Sequence, residues 1–191
     1  RDIHLPTRRK RQMCIRDRPI KGTIKKSNNF YQNLNLINKL ENSEKDISEN
    51  VMIADLVRND LSITAKRNSV KVEELCKVFT FNNINQMIST VTSEICQNLS
   101  FDKIISSTFP MGSMTGAPKI KSMQLIDKFE DFNRGIYSGA IGYIDSKNNF
   151  DFNVVIRTII YDQKDHNLSF PVGSAITSES DPYIAVSYTH L

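Results

Sequence analysis

The sequence predicts an α+β chain, with helices packed on antiparallel strands rather than alternating around a parallel sheet. Three observations carry this. Helical spacing of apolar residues is concentrated in residues 30–60 and 118–129. Runs rich in β-branched and aromatic residues fill 70–81 and 87–95. The last third reads as consecutive strands joined by turn-rich connections.

Taken in order, Phe30–Leu40 reads as a helix with Leu34, Ile37 and Leu40 on one face. Ser43, followed by Asp46, supplies a cap and an acidic first turn for a second helix. That helix runs to about Asp60, with Ile47, Val51, Leu56 and Val57 as its apolar face. Val70–Phe81 and Met87–Ile95 read as strands, and Ser100 caps a short helix ending near Phe109. The loop 110–119 feeds a helix over Pro118–Phe129, where proline suits the first turn. Ile120, Met123, Leu125 and Ile126 are its expected buried stripe. Three strands close the pattern as a meander: Ile136–Asp145, Phe150–Tyr161 and Leu168–Ile176.

The chain has 191 residues, 39% hydrophobic and 24% charged, which excludes a wholly disordered chain. No stretch approaches the ~20 apolar residues of a membrane helix. Three widely spaced cysteines (Cys14, Cys76, Cys96) argue against a disulfide framework and for a reducing, cytoplasmic setting. Residues 1–18 carry seven Lys/Arg and two Asp, a net +5 against +4 for the whole chain. A basic arm of this kind can meet phosphates. It lacks interleaved aromatics, so a solvated arm is expected and nucleic acid is not an expected partner. Of three histidines only His166 lies in the body, so a Ser-His-Asp triad or a His-rich zinc site is hard to build.

Chemistry must then rest on Lys, carboxylates, Arg, hydroxyls and backbone groups. The loop Gly112–Lys119 leads into a helix N-terminus, which reads either as an anion site or as an ordinary capped turn. It is not a phosphate P-loop, because no Ser or Thr follows Lys119. Lys21 is a surface charge unless burial or nearby cations favour its neutral form. Asp46 and Glu49 share a helix face and suit either Mg²⁺ or water. Arg157, in an apolar run, either points to solvent or grips a carboxylate.

Six stretches, in order, resemble the chorismate-utilising enzymes, and within them the aminodeoxychorismate synthase component I branch. They are PIKGT from Pro19, ENVMIADLVRND from Glu49, SVKVEEL from Ser69, FPMGSMTGAPKIKSMQLID from Phe109, YSGAIGYID through DFNVVIRT over Tyr137–Thr158, and VGSAITSESDP from Val172. The resemblance implies the C-terminal part of that family's fold, mainly antiparallel sheets with packed helices. It implies a cytoplasmic transferase that replaces the C4 hydroxyl of chorismate with ammonia. The ammonia comes from a glutamine amidotransferase subunit or fused domain, and the product, 4-amino-4-deoxychorismate, leads to para-aminobenzoate and folate.

By the same resemblance Lys21 is the catalytic nucleophile, and Glu49, with Asp46 as the weaker candidate, is a ligand to Mg²⁺. Gly22, Thr23 and Thr115 contact the ring carboxylate. Tyr143, Arg157 and Gly173 hold the enolpyruvyl carboxylate. The lysine of PIKGT separates this branch from the anthranilate synthases, which usually carry Ala there and are the alternative enzyme reading. Gln86 stands where the family commonly has His. The family's upstream Ser-Pro-Glu segment and downstream Glu-rich stretch have no counterpart here, since residues 1–18 contain no Glu and no acid follows Asp181. The expected organisation is therefore a non-native or disordered arm over 1–18, a partial chorismate-binding catalytic domain over 19–182, and a non-native tail over 183–191. Such a fragment would be poorly active, and a non-catalytic piece that keeps only ligand or partner binding is the remaining alternative.

Overall fold

A computed structural model of the chain describes residues 7–11, 14–96, 99–177 and 180–181. The chain runs through β1 (Thr7–Arg11), β2 (Cys14–Asp17), β3 (Ile20–Lys25), α1 (Phe30–Glu41), α2 (Glu44–Ser62), β4 (Lys71–Thr80) and β5 (Ile84–Glu94). It continues through α3 (Phe101–Thr108), the single turn α4 (Gly112–Thr115), α5 (Lys119–Phe129), β6 (Ala140–Ile144), β7 (Phe150–Val154), β8 (Ile160–Asp162) and β9 (Asn167–Ser169). The α+β class is as expected.

Seven strands make one antiparallel sheet, and β5 is its spine. Along one side of β5 runs β4; along the other run β2 and β3 in succession, with Pro19 between them. The sheet then continues from β2 through β1 and β7 to β6. Asn29 and Ser43 cap α1 and α2 by accepting the N–H groups of Gln32 and Asp46, which a helix otherwise leaves free. The helices α1, α2 and α3 cover one sheet face. Between them lies the core, where Ile15 of β2, Val91 of β5, Leu61 of α2 and Phe150 of β7 are fully buried. Each such side chain contributes about 1.5–3 kcal/mol relative to exposure.

Four expectations need correction. The disordered arm is the first: Thr7–Arg11 and Cys14–Asp17 are strands of the main sheet. Alternation explains it, because Ile15 and Asp17 face inward while Cys14 and Arg16 face out, so a charged stretch still delivers a core side chain. The second is the apolar face of α2. Its buried residues are Asn50, Ile53, Ala54, Val57, Asp60 and Leu61, whereas Val51 is exposed. The stripe is rotated because two of its members are polar and satisfied inside.

The third is α5, which has no buried residue: Ile120 is 75% exposed. Among the described residues only α4 packs against it to any extent. The fourth is the meander. β6 and β7 pair as expected, but β8 and β9 form a separate hairpin. Arg157, at φ 51°, turns the chain out of the β7 direction before β8 begins. The tail over 183–191 lies outside the described residues. Among the described residues no helix is long and apolar enough to cross a membrane.

Candidate functional site

Two of the three register shifts along β5 flank its middle. On the β3 side, Ile20 pairs with Ile88 and Thr23 with Gln86, so Lys21 and Gly22 together oppose Met87. This is a β-bulge, and Gly22 carries its positive φ of 88°. On the β4 side, Glu74 pairs with Thr90 and Lys77 with Ile88, so Leu75 and Cys76 together oppose Ser89. Cys76 sits at φ 52° and donates its N–H to Ser89 Oγ at 2.9 Å. Burial pushes the Cys76 thiol up from its ordinary value, with the Ser89 hydrogen bond opposing.

The β3 bulge turns both Lys21 and Gly22 toward α2. Lys21 Nζ lies 3.7 Å from Glu49 Oε2, and these side chains are only 22% and 18% exposed. A Cβ on Gly22 would lie 3.0 Å from Asp46 Cβ, so a side chain there would press on Asp46 as well as strain the backbone angle. Asp46 is itself held, accepting the Ser43 hydroxyl at 2.6 Å. Thr23 takes the other direction. Paired with Gln86, it shares that residue's face, and Gln86 Nε2 donates to Thr23 Oγ1 at 3.4 Å.

Among the described residues no cluster of three or more His, Cys, Asp or Glu is poised for a metal. Asp46 and Glu49 nonetheless fit Mg²⁺ in kind. They are two hard carboxylates one turn apart, and Mg²⁺ is commonly held by one or two carboxylates beside waters and substrate oxygens.

The loop 110–119 packs on α2. Gly112 lies against Leu56, where a Cβ would approach Leu56 Cδ1 to 2.9 Å. Lys119 Nζ reaches back to Asp60 Oδ2 at 2.9 Å, with side-chain exposures of 18% and 4%. Thr115 Oγ1 donates to the Met111 carbonyl at 3.2 Å. Beyond α5, Arg134 donates to Glu130 and, through Nη1, to the Met114 carbonyl at 3.0 Å, which ties α4 to the end of α5.

The Arg134 hydrogen bond is the largest cause holding the Glu130 carboxyl below its ordinary value, with burial opposing. A carboxyl so depressed stabilises the fold fully above the unfolded-state value of about 4.3 and loses that contribution as pH falls through its folded-state value. Glu130→Gln is therefore expected to lower stability near neutral pH by about 0.5–1 kcal/mol. The difference from the parent should vanish as pH drops below the carboxylate range, read as urea midpoints across pH.

The remaining predicted residues lie elsewhere. Tyr143 is on β6, the edge of the sheet opposite β4, and is 60% exposed. Arg157 is exposed in the turn after β7. Gly173 is exposed beside Tyr137, whose hydroxyl a Cβ there would strike. The structure thus joins Lys21, Gly22, Asp46 and Glu49 in one place. It sets Thr115 on the loop that leans on α2, and leaves Tyr143, Arg157 and Gly173 with the C-terminal hairpins.

A family model described as chorismate binding enzyme matches residues 7–184. The chain belongs to this family. It is 40% identical over 168 residues to a Streptomyces griseus protein named aminodeoxychorismate synthase, covering 88% of this chain and 23% of that protein. It is 34% identical to anthranilate synthase component 1 of Aquifex aeolicus, covering 88% of this chain and 34% of the relative. The chain therefore spans about a quarter to a third of these relatives' length. Its fold matches a crystal structure of a Bacillus anthracis isochorismate synthase, DhbC, at a TM-score of 0.78 and 21% identity, over 97% of this chain and 48% of that one.

In this member of the family, sequence reasoning missed Asn50, Ser89, Asp60 and the role of Lys119. Asn50 and Asp60 are polar and stand outside the expected apolar face of α2, yet are 0% and 3% exposed. The available signal was their spacing, since both lie in register with Ile53 and Val57. An apolar cavity of about 270 Å³ opens between α3 and the sheet, lined by Ile15, Phe101, Ile104, Phe150 and Phe152. Its lining suits no dianion, and the polar cluster at Lys21 is the better candidate.

Proposed function

We propose that this chain is the catalytic portion of an enzyme that replaces the C4 hydroxyl of chorismate with ammonia to give 4-amino-4-deoxychorismate. The observation that carries the reading is Lys21 itself, set on a bulge that turns it out of the strand and against Glu49. The 40% identity to a protein named aminodeoxychorismate synthase supports it. The neutral Lys21 amine forms a bond to a ring carbon as the ring double bonds shift and the C4–O bond breaks, and the proton that Nζ gives up leaves with the hydroxyl as water. Ammonia then bonds at C4 as the bond to Lys21 breaks, which divides one hard substitution into two easier ones. Glu49 Oε2, 3.7 Å from Lys21 Nζ, is at ion-pair distance from it.

Glu49 and Asp46 would hold Mg²⁺, which when bound supplies positive charge for the ring carboxylate. Gly22, Thr23 and Thr115 would contact that carboxylate, and Tyr143, Arg157 and Gly173 the enolpyruvyl carboxylate. A glutamine amidotransferase would supply the ammonia. A second reading, anthranilate formation, is favoured by the 34% identity to an anthranilate synthase component 1.

Incubation with chorismate, ammonium and Mg²⁺, with products resolved by mass and ultraviolet spectrum, tests both. 4-Amino-4-deoxychorismate is expected as the product. Anthranilate as the product would replace the first reading with the second.

A further inference from the structure

We propose that Asn50 is the positioning residue of the site: it fixes the bulge that aims Lys21. The inference rests on the reading of Lys21 as the nucleophile and explains how its position is set. Asn50 is fully buried on α2. Its Nδ2 donates to the Met87 carbonyl at 3.2 Å and to the Lys21 carbonyl at 3.4 Å, the residues that oppose each other at the β3 bulge. Its Oδ1 accepts the Ser89 hydroxyl, and the Cys76 thiol lies 3.7 Å away. Ser89 Oγ in turn accepts the Cys76 N–H of the β4 bulge.

One amide thus joins both bulges across β5. A bulge leaves ladder groups without a strand partner, and buried groups of that kind must be satisfied from elsewhere. Asn50 Nδ2 reaches the Lys21 and Met87 carbonyls at the β3 bulge and the Ser89 hydroxyl takes the Cys76 N–H at the β4 bulge; an apolar residue at 50 could not make the first two contacts. Because Glu49 and Asn50 are consecutive, α2 holds Lys21 at both ends. Glu49 meets its ammonium, and Asn50 meets its carbonyl. A strand residue held only by its side chain would pivot; one held also by its backbone is aimed.

The test is Asn50→Ala, read first by amide hydrogen exchange in the 191-residue chain. Exchange of the segment 19–25 is expected to rise about tenfold or more, while the α2 core 53–61 keeps its protection. Unchanged protection at 19–25, or an equal rise throughout the chain, overturns the inference. If Asn50→Ala fails to fold, Ser89→Ala supplies the measurement, since it removes the hydroxyl that holds Asn50 Oδ1 while leaving the main-chain ladder intact. The same local rise at 19–25 is expected, and its absence overturns the inference equally.

In a chain that turns chorismate over, Asn50→Ala should lower kcat by about 10²-fold with KM nearly unchanged, the signature of a misplaced reacting group. A rise in KM with kcat intact would count against positioning. The two readings fail separately. If Lys21→Ala keeps its activity, the nucleophile reading falls while the exchange result stands. If Lys21 is essential but 19–25 is indifferent to Asn50, the positioning claim falls alone.

Discussion

Lys21→Ala is expected to lower chorismate amination by on the order of 10³–10⁴-fold, the scale seen when one member of a catalytic unit is removed. The loss should appear in kcat, because the two-step route through a covalent bond disappears while carboxylate binding does not. Two controls separate nucleophile from charge. Lys21→Arg keeps a cation able to meet Glu49, but a guanidinium stays protonated and cannot attack. If Lys21→Arg recovers most of the rate, Lys21 acts as a charge and the covalent step is wrong. The second control is stability, since Lys21→Ala leaves the half-buried Glu49 carboxylate without this cation. Melting temperatures of both variants within a few degrees of the parent would confine the effect to chemistry. An intermediate joined to Lys21, trapped by acid quench and found as added mass on a peptide containing residue 21, would be direct support.

What was legible in the sequence follows from which signals are local. Ser43 as a helix cap, the length of α2 and the strand character of β4 and β5 depend on neighbouring residues, and the structure matches them. Motif order also carried the cluster of Lys21, Gly22, Asp46 and Glu49, whose members meet between β3 and α2. What was not legible depends on distant partners. Asn50 and Asp60 stand outside the expected apolar face of α2 because a polar residue is normally placed outside. Distant partners, among them the Lys21 and Met87 carbonyls and the Lys119 ammonium, 29, 37 and 59 residues away, make their burial tolerable. The β3 bulge was equally hidden. Nothing in PIKGT shows that Lys21 and Gly22 share one partner across the ladder, although Gly22 is the residue such a bulge demands. The charged residues before Pro19 masked a strand for the converse reason, since a single apolar side chain among them, Ile15, is enough to reach the core.

Lys119→Met is the second substitution with a large expected effect, and here the effect is on stability. The Asp60 carboxylate is 4% exposed and its 2.9 Å partner, Lys119, only 18% exposed, so the pair has surrendered most of its hydration. Removing one member of a buried pair typically costs about 3–5 kcal/mol, because the other charge stays buried. For a chain of this length that corresponds to a fall in Tm of roughly 6–20 °C. The pair also has a positional role. Lys119 opens α5, and its reach to the far end of α2 holds the loop that carries Thr115 against Leu56. Charge and position separate in the double variant Asp60→Leu, Lys119→Met. With no charge left behind, most of the lost stability should return, since apolar replacement of a buried pair is often neutral. Chorismate affinity should not return, because the loop has lost its tether. A double variant that restores both would make the pair a matter of charge burial alone, and Thr115 would then owe its place to the packing of Gly112 on α2.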